Sequence, residues 1–278
     1  MAALAPALNQ VRNLWLISRF EILRLFASPR GWFALTAFVI IWYVLLRYPI
    51  FQASAGIQDP EIQRILGGMF GMAGMYNILN WPLPELSAYW VMCVLLLPIC
   101  TLFFAADQTC SDRSRGTLRF LMLRTSRDSL FFGRFLGHML IQSILISLSI
   151  AATLAMAWWR LGSLSAGALE AAVIMVINLV IIIAPYTALM AMCSVLVKSS
   201  RMAISLAVVG SGIVLGVLGW AAWYLPVLQE LMAYVPSAQI PQVLSQHGWS
   251  TLQFSGLPLA QTAVFLLIGR QIMQGKSL

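Results

Sequence analysis

The sequence predicts an all-α polytopic membrane protein of six transmembrane helices preceded by an amphipathic interfacial helix. Of its 278 residues, 60% are hydrophobic and only 9% are charged, whereas a soluble domain carries roughly a quarter charged residues. Five apolar runs reach the roughly 17–25 residues needed to cross a hydrocarbon core about 30 Å thick, and a sixth, shorter run lies near the C-terminus. Charge collects between these runs instead of spreading along the chain.

The first 30 residues form a leading segment. Between Gln10 and Ala27, a helical face gathers Val11, Leu14, Trp15, Ser18, Ile22, Leu25 and Phe26, while Arg12, Arg19 and Arg24 point elsewhere. That pattern predicts a helix lying in the membrane interface. Ser28, Pro29, Arg30 and Gly31 break it, and a first span runs over residues 32–50 with Arg47 able to snorkel. The basic residues before this span are too many and too dispersed for a cleavable leader, so the span is expected to remain uncleaved.

The loop from Phe51 to Ser87 holds Asp59, Glu61, Arg64, the glycines Gly67, Gly68, Gly71 and Gly74, and the Trp81-Pro82-Leu83-Pro84-Glu85 turn, which together suggest a short surface helix. Spans then follow over residues 88–106, 135–159, 169–197 with a kink expected at Pro185, 202–225 and 257–272. The fifth carries Gly212-x-x-x-Gly216, a spacing that lets helix backbones approach closely. Residues 226–256, broken by Pro226, Pro236, Pro241 and Gly248, predict short amphipathic or re-entrant helices on the outer side.

Basic residues orient the chain, because cytoplasmic loops hold the excess of Lys and Arg. With both termini inside, fourteen of the seventeen basic residues are cytoplasmic and only Arg47, Arg64 and Arg160 are not. The nine acids divide four to five, so the basic residues alone set the direction. The net charge of +8 therefore reflects membrane topology, and no nucleic-acid partner is expected.

Several chemistries lack their residues. The four cysteines form no C-x-x-C pair and none lies near a histidine, so no metal site is expected. The C-terminal Gly269 to Ser277 stretch looks like a phosphate-cradling loop but has one residue too many and follows a membrane helix where a strand is required. No serine–histidine pair, intramembrane aspartate pair or H-E-x-x-H helix supports intramembrane proteolysis, and His138 stands alone in the third span. No catalytic residue and no cofactor is expected in this chain. The span interiors offer neutral polarity instead, notably Gln142, Asn178 and Thr187, which could bond helix to helix or line a substrate path.

The cytoplasmic loop over residues 107–134 is the most charged part of the chain. Leu118, Leu121 and Met122 give a short apolar stripe flanked by charge, suited to docking in a groove on another protein. Its order is an acidic residue, Asp112, then Gly116-Thr117-Leu118, Leu121, a Ser126-Arg127 turn, and Gly133-Arg134 entering the next span. In that order the sequence resembles the membrane subunit of ABC-2 type exporters. The resemblance extends to the leading amphipathic helix, the six spans and the broken segment before the last one. It departs at Arg124-Thr125, where a proline commonly precedes the Ser-Arg turn, and at Arg134, where lysine is common.

The resemblance implies a type V exporter-like transmembrane domain over residues 31–278 in a bacterial inner membrane, paired with an identical or homologous permease subunit. It implies two copies of a separate ABC ATPase, which bind the ATP. Asp112, Arg113, Gly116, Thr117, Leu118, Leu121, Arg127 and Arg134 are the implied coupling residues, and Arg19, Glu21 and Arg24 those of the elbow helix. A non-transporting membrane anchor that recruits a soluble partner through the Arg-rich loop is the alternative.

Overall fold

The computed structural model describes residues 4–52, 59–61, 64–65, 68, 78–225 and 227–275. Gly67, Gly71 and Gly74, most of the surface segment expected after the first span, Pro226 and Lys276 lie outside the described residues. Among the described residues there is no strand, and six helices are long and apolar enough to cross a membrane.

Helix α1 (Leu4–Ala27) meets α2 (Pro29–Leu45) at a corner written into the sequence. The Ser28 side chain accepts a hydrogen bond from Gly31 N at 3.0 Å, and Pro29 sits at the start of the helix, where its missing N–H costs nothing. A Cβ on Gly31 would lie 1.8 Å from the Leu25 carbonyl oxygen, so only glycine fits the turn. α2 continues through a π-helical stretch, Leu46–Ile50, that contains Pro49. A proline that cannot donate to the ladder is a physical reason for such a local adjustment.

Helix α3 (Pro84–Phe104) opens on Pro84, four residues before the expected span, because Pro84 is preorganised for a first helical position. Two short helices, α4 (Cys110–Ser114) and α5 (Thr117–Met122), occupy the charged loop. Helix α6 (Arg127–Leu161) runs 35 residues from a Ser126 cap to a left-handed Gly162. Its length of about 52 Å exceeds the hydrocarbon core. Hydropathy marks only its apolar part, residues 135–159; the cap starts the helix two turns earlier, among charged residues.

Helix α7 (Ala166–Leu196) is the hub, contacting α3, α6, α8 (Ser200–Tyr224) and α11 (Gly256–Gly275). It runs as continuous α-helix through Pro185. Between α8 and α11 lie α9 (Val227–Met232), α10 (Ile240–Leu244) and a 3₁₀ turn, Gly248–Phe254. The main core joins the first half of α3, the second half of α6 and the first half of α7, with Trp90, Tyr89, Leu86, Met175 and Leu179 fully buried. Helix α2 touches this core chiefly at its far end, through Ile50 and a 5.4 Å stack of Trp42 on Tyr89.

A close helix approach lies elsewhere than the Gly212–Gly216 spacing suggests. Ideal Cβ positions on Gly212 and Gly216 meet nothing within 4 Å, so that spacing is unused among the described residues. Gly133 and Gly137 on α6 carry the same four-residue spacing, and there added Cβ atoms would come within 2.9 Å of Ile17 and Glu21 on α1. Ser18 completes this seam, donating to the Gly133 carbonyl at 2.9 Å.

Candidate coupling site and polar interior

The α1–α6 seam determines which elbow residues turn inward. Ser18 and Glu21 are buried against α6, whereas Trp15, Leu16, Leu23 and Phe26 are uncovered by the rest of the chain. Trp15 and Phe26, expected on the same apolar face as Ser18, are therefore not part of the packing face. A carboxylate sits there instead, 5% exposed, and an apolar-periodicity reading discards such a residue. Arg19 faces outward.

Glu21 belongs to a charged cluster centred on Arg134, itself 3% exposed. The Arg134 guanidinium donates to Asp112 Oδ2 and to the Gln108 carbonyl, and its Nε lies 3.8 Å from Glu21 Oε1. Arg24 approaches Glu21 Oε2 at 3.6 Å and donates to Ser111 Oγ at 3.4 Å. Burial raises the Glu21 carboxyl above its usual range, outweighing the attraction of Arg134 and then Arg24. A buried charge is tolerated when paired and hydrogen-bonded. Here the pairing joins α1, the α4–α5 loop and α6.

Asp112 works in two directions, since its Oδ1 accepts from Thr117 Oγ1 at 3.1 Å while Oδ2 takes Arg134. Between them Gly116 adopts φ of 72°, left-handed backbone that favours glycine, and so turns α4 into α5. Arg113 donates to the Val195 carbonyl at the end of α7. Cys110, also in α4, donates to the Ala106 and Ser194 carbonyls, and burial pushes its thiol up to about 11. It is a packed structural thiol.

The apolar stripe expected on α5 divides. Leu118 is buried with Leu130, Phe131 and Met273, and Met122 packs on the same cluster. Leu121 stays outward with two residues the stripe omitted, Phe120 (72% exposed) and Leu123 (84%). With Arg115 and Arg124 they border an open groove against Phe20 and Arg24 of α1. The physical reason is that a six-residue helix presents two faces. The inward face belongs to this chain, and the outward one is free for another.

Arg127 and the neighbouring Asp128 engage the last helix. Arg127 Nη1 donates to the carbonyls of Met273 at 3.2 Å and Gln274 at 2.8 Å, satisfying the end of α11. Asp128 accepts from Arg270 at 2.7 Å and Gln274 at 3.0 Å.

Of the interior polar residues, Gln142 and Thr187 come together and Asn178 does not join them. Gln142 Oε1 accepts from Thr101 Oγ1 at 3.2 Å and from Thr187 Oγ1 at 3.4 Å. The Thr187 carbonyl in turn accepts from Gln108 Nε2 at 3.0 Å, so a polar chain runs from Arg134 through Gln108 and Thr187 to Gln142. Asn178 donates instead to Thr251 Oγ1 at 2.8 Å, fixing the 3₁₀ turn to α7. A further buried carboxylate, Glu85, pairs with Arg160 at 2.6 Å. The sequence places it in a turn; the proline start of α3 draws it into the bundle. No trio of His, Cys, Asp or Glu suited to a metal occurs among the described residues.

This arrangement defines a class first: a six-span helical membrane protein whose charged loop is braced on a leading helix and keeps an apolar, basic face free. The family follows from residues 15–262, which match the model of the ABC-2 family transporter proteins. The chain belongs to that family, as a transmembrane transport permease, and no curated protein matches it.

Proposed function

We propose that this chain is the permease subunit of an ABC exporter. In this reading it forms the translocation path with a second permease copy or homologue, and couples to two copies of a separate ATPase in a bacterial inner membrane with both termini cytoplasmic. It binds no ATP and catalyses no reaction itself. The observation that carries the reading is the Arg134 cluster. It makes α1, the α4–α5 loop and α6 one mechanical unit while leaving Phe120, Leu121, Leu123, Arg115 and Arg124 free to meet a partner.

A force applied to α5 has three defined outlets. Through Asp112 and Arg134 it reaches α6, through Arg113 it reaches the end of α7, and through the Leu118–Met273 contact and Arg127 it reaches α11. Closure of two nucleotide-bound partner subunits would then tilt these helices together and expose the path alternately to the two sides.

The test is capture of an ATP-hydrolysing partner in mild detergent by the wild type and by Phe120→Glu and Leu123→Glu, which alter only outward side chains. A partner held by the wild type and released by both variants is the expected result. Failure of the wild type to bring down any ATPase across several detergents would leave the anchoring alternative in its place.

A further inference from the structure

Helix α2 stands away from α3 along most of its length, and the space between them is a cleft of about 170 Å³. That is somewhat larger than an engineered apolar cavity of about 150 Å³ that holds benzene. Phe38, Ile41 and Trp42 form one wall, Leu96 and Cys100 the other, and Ile146 of α6 part of the back. No Asp, Glu, Lys or Arg is among the lining residues. The cleft extends from Ala34 to Leu45 along α2, about 16 Å at the helical rise, or roughly half the hydrocarbon thickness. Ile41, Leu96 and Phe104 at its edges are uncovered by the rest of the chain, so it opens sideways towards lipid.

Its polar lining is small and specific. Thr101, Gln142 and Ser149 line the cleft. Ser149 is satisfied by the Ile146 carbonyl and by Tyr89. Gln142 is not: it is 6% exposed, its carbonyl oxygen accepts from Thr101 and lies 3.4 Å from Thr187 Oγ1, whose single proton also faces the Ile183 carbonyl at 3.1 Å, and its amide nitrogen has no hydrogen-bond partner. Buried amide donors are rarely left unmet. A mostly apolar pocket with one convergent polar group is the common form of a small-molecule site.

We propose that this cleft binds an uncharged, mainly hydrocarbon molecule carrying one hydrogen-bond-accepting oxygen, which enters from the lipid and accepts a hydrogen bond from the Gln142 amide. The absence of charged lining residues excludes a salt-bridged carboxylate or amine, and the sideways opening between α2 and α3 admits a chain without crossing an aqueous vestibule. That such a molecule is cargo rests on the permease reading; that it binds does not. The polar chain from Arg134 to Gln142 makes occupancy of the cleft and the position of the α4–α5 loop sensitive to each other.

The test uses the full chain reconstituted in phosphatidylcholine vesicles, with a diazirine-bearing methyl hexadecanoate and the matching diazirine alkane as photoprobes, and adducts mapped by mass spectrometry. Ester adducts should concentrate on residues 34–45 and 92–104 over α8. They should fall at least fivefold in Ala37→Trp or, should that variant fail to fold, in Leu97→Trp from the opposite wall. Gln142→Leu should weaken the ester about tenfold and leave the alkane unchanged. Equal labelling of α8, or labelling indifferent to both tryptophans, would overturn the site. An unchanged ester in Gln142→Leu would overturn the role of the amide. Joining of two chains through Cys100 by a short bis-maleimide would show that a second copy fills the cleft, and would also overturn it. Labelling is read without nucleotide, so it stands or falls separately from ATPase capture.

Discussion

Replacing Arg134 by methionine tests the central brace directly. The substitution keeps most of the side-chain volume and removes the charge that faces Asp112 and Glu21. Asp112 retains Thr117 and partial exposure, so the cost falls mainly on Glu21, which is left with Arg24 at 3.6 Å. Glu21 must then remain charged in a buried seam or take up a proton. Protonating a carboxyl of ordinary pKa near 4.3 at pH 7 costs about 3.7 kcal/mol, within the roughly 3–5 kcal/mol typical of breaking a buried pair from one side. Burial already raises the Glu21 pKa, so the folded protein holds this proton more tightly than the unfolded chain. Stability therefore falls as pH rises from the unfolded pKa through the folded one. Loss of Arg134 extends that interval upward, and the variant's deficit should shrink as pH is lowered from 7 towards 5, by at most about 1.4 kcal/mol per unit. Equilibrium unfolding in mixed dodecylsulfate micelles, followed by tryptophan fluorescence, measures it. Adding Glu21→Gln to Arg134→Met should restore more than half the loss. A deficit that is independent of pH and unrelieved by Glu21→Gln would refute the reasoning.

Gly137→Val should cost about 1–3 kcal/mol by overpacking the α1 seam, whereas Gly216→Val should stay within about 0.5 kcal/mol; the same unfolding assay compares them. Arg127→Gln removes the donor to the Met273 and Gln274 carbonyls, and hydrogen exchange over residues 270–275 should accelerate about tenfold. Phe120→Ala and Leu123→Ala should leave the unfolding midpoint unchanged, since both side chains are uncovered, while weakening capture of the ATPase at least fivefold.

What the sequence disclosed followed the physical scale of each signal. Six apolar runs are collective features, and the bilayer enforces them, so the fold class and the six membrane helices were readable. Helix ends depend on single residues: Ser126 and Pro84 start α6 and α3 well before hydropathy rises. The interior of the site was hidden for a related reason. Glu21, named through the resemblance but not by periodicity, and Glu85 are carboxylates in positions where periodicity expects apolar or turn residues, and their burial is accounted for by distant partners, Arg134 and Arg160. The Gly133–Gly137 spacing escaped notice because its first glycine falls in what reads as a charged loop. Gln142 and Thr187 were visible as polar residues in apolar runs, but their meeting across helices, and the separate fate of Asn178, required the packing itself.

The overhang of α6 has a mechanical consequence. From Arg134 to Leu161 the helix extends about 40 Å, and Arg134 is the point at which it is gripped by α1 and the charged loop. A rigid rod pivoted there amplifies motion: a tilt of about 10° would sweep its far end through about 7 Å. The Arg160–Glu85 ion pair sits at that end and ties it to the first turn of α3. While the pair holds, a swing of α6 would carry the start of α3 with it, so the two helices would move as one strut.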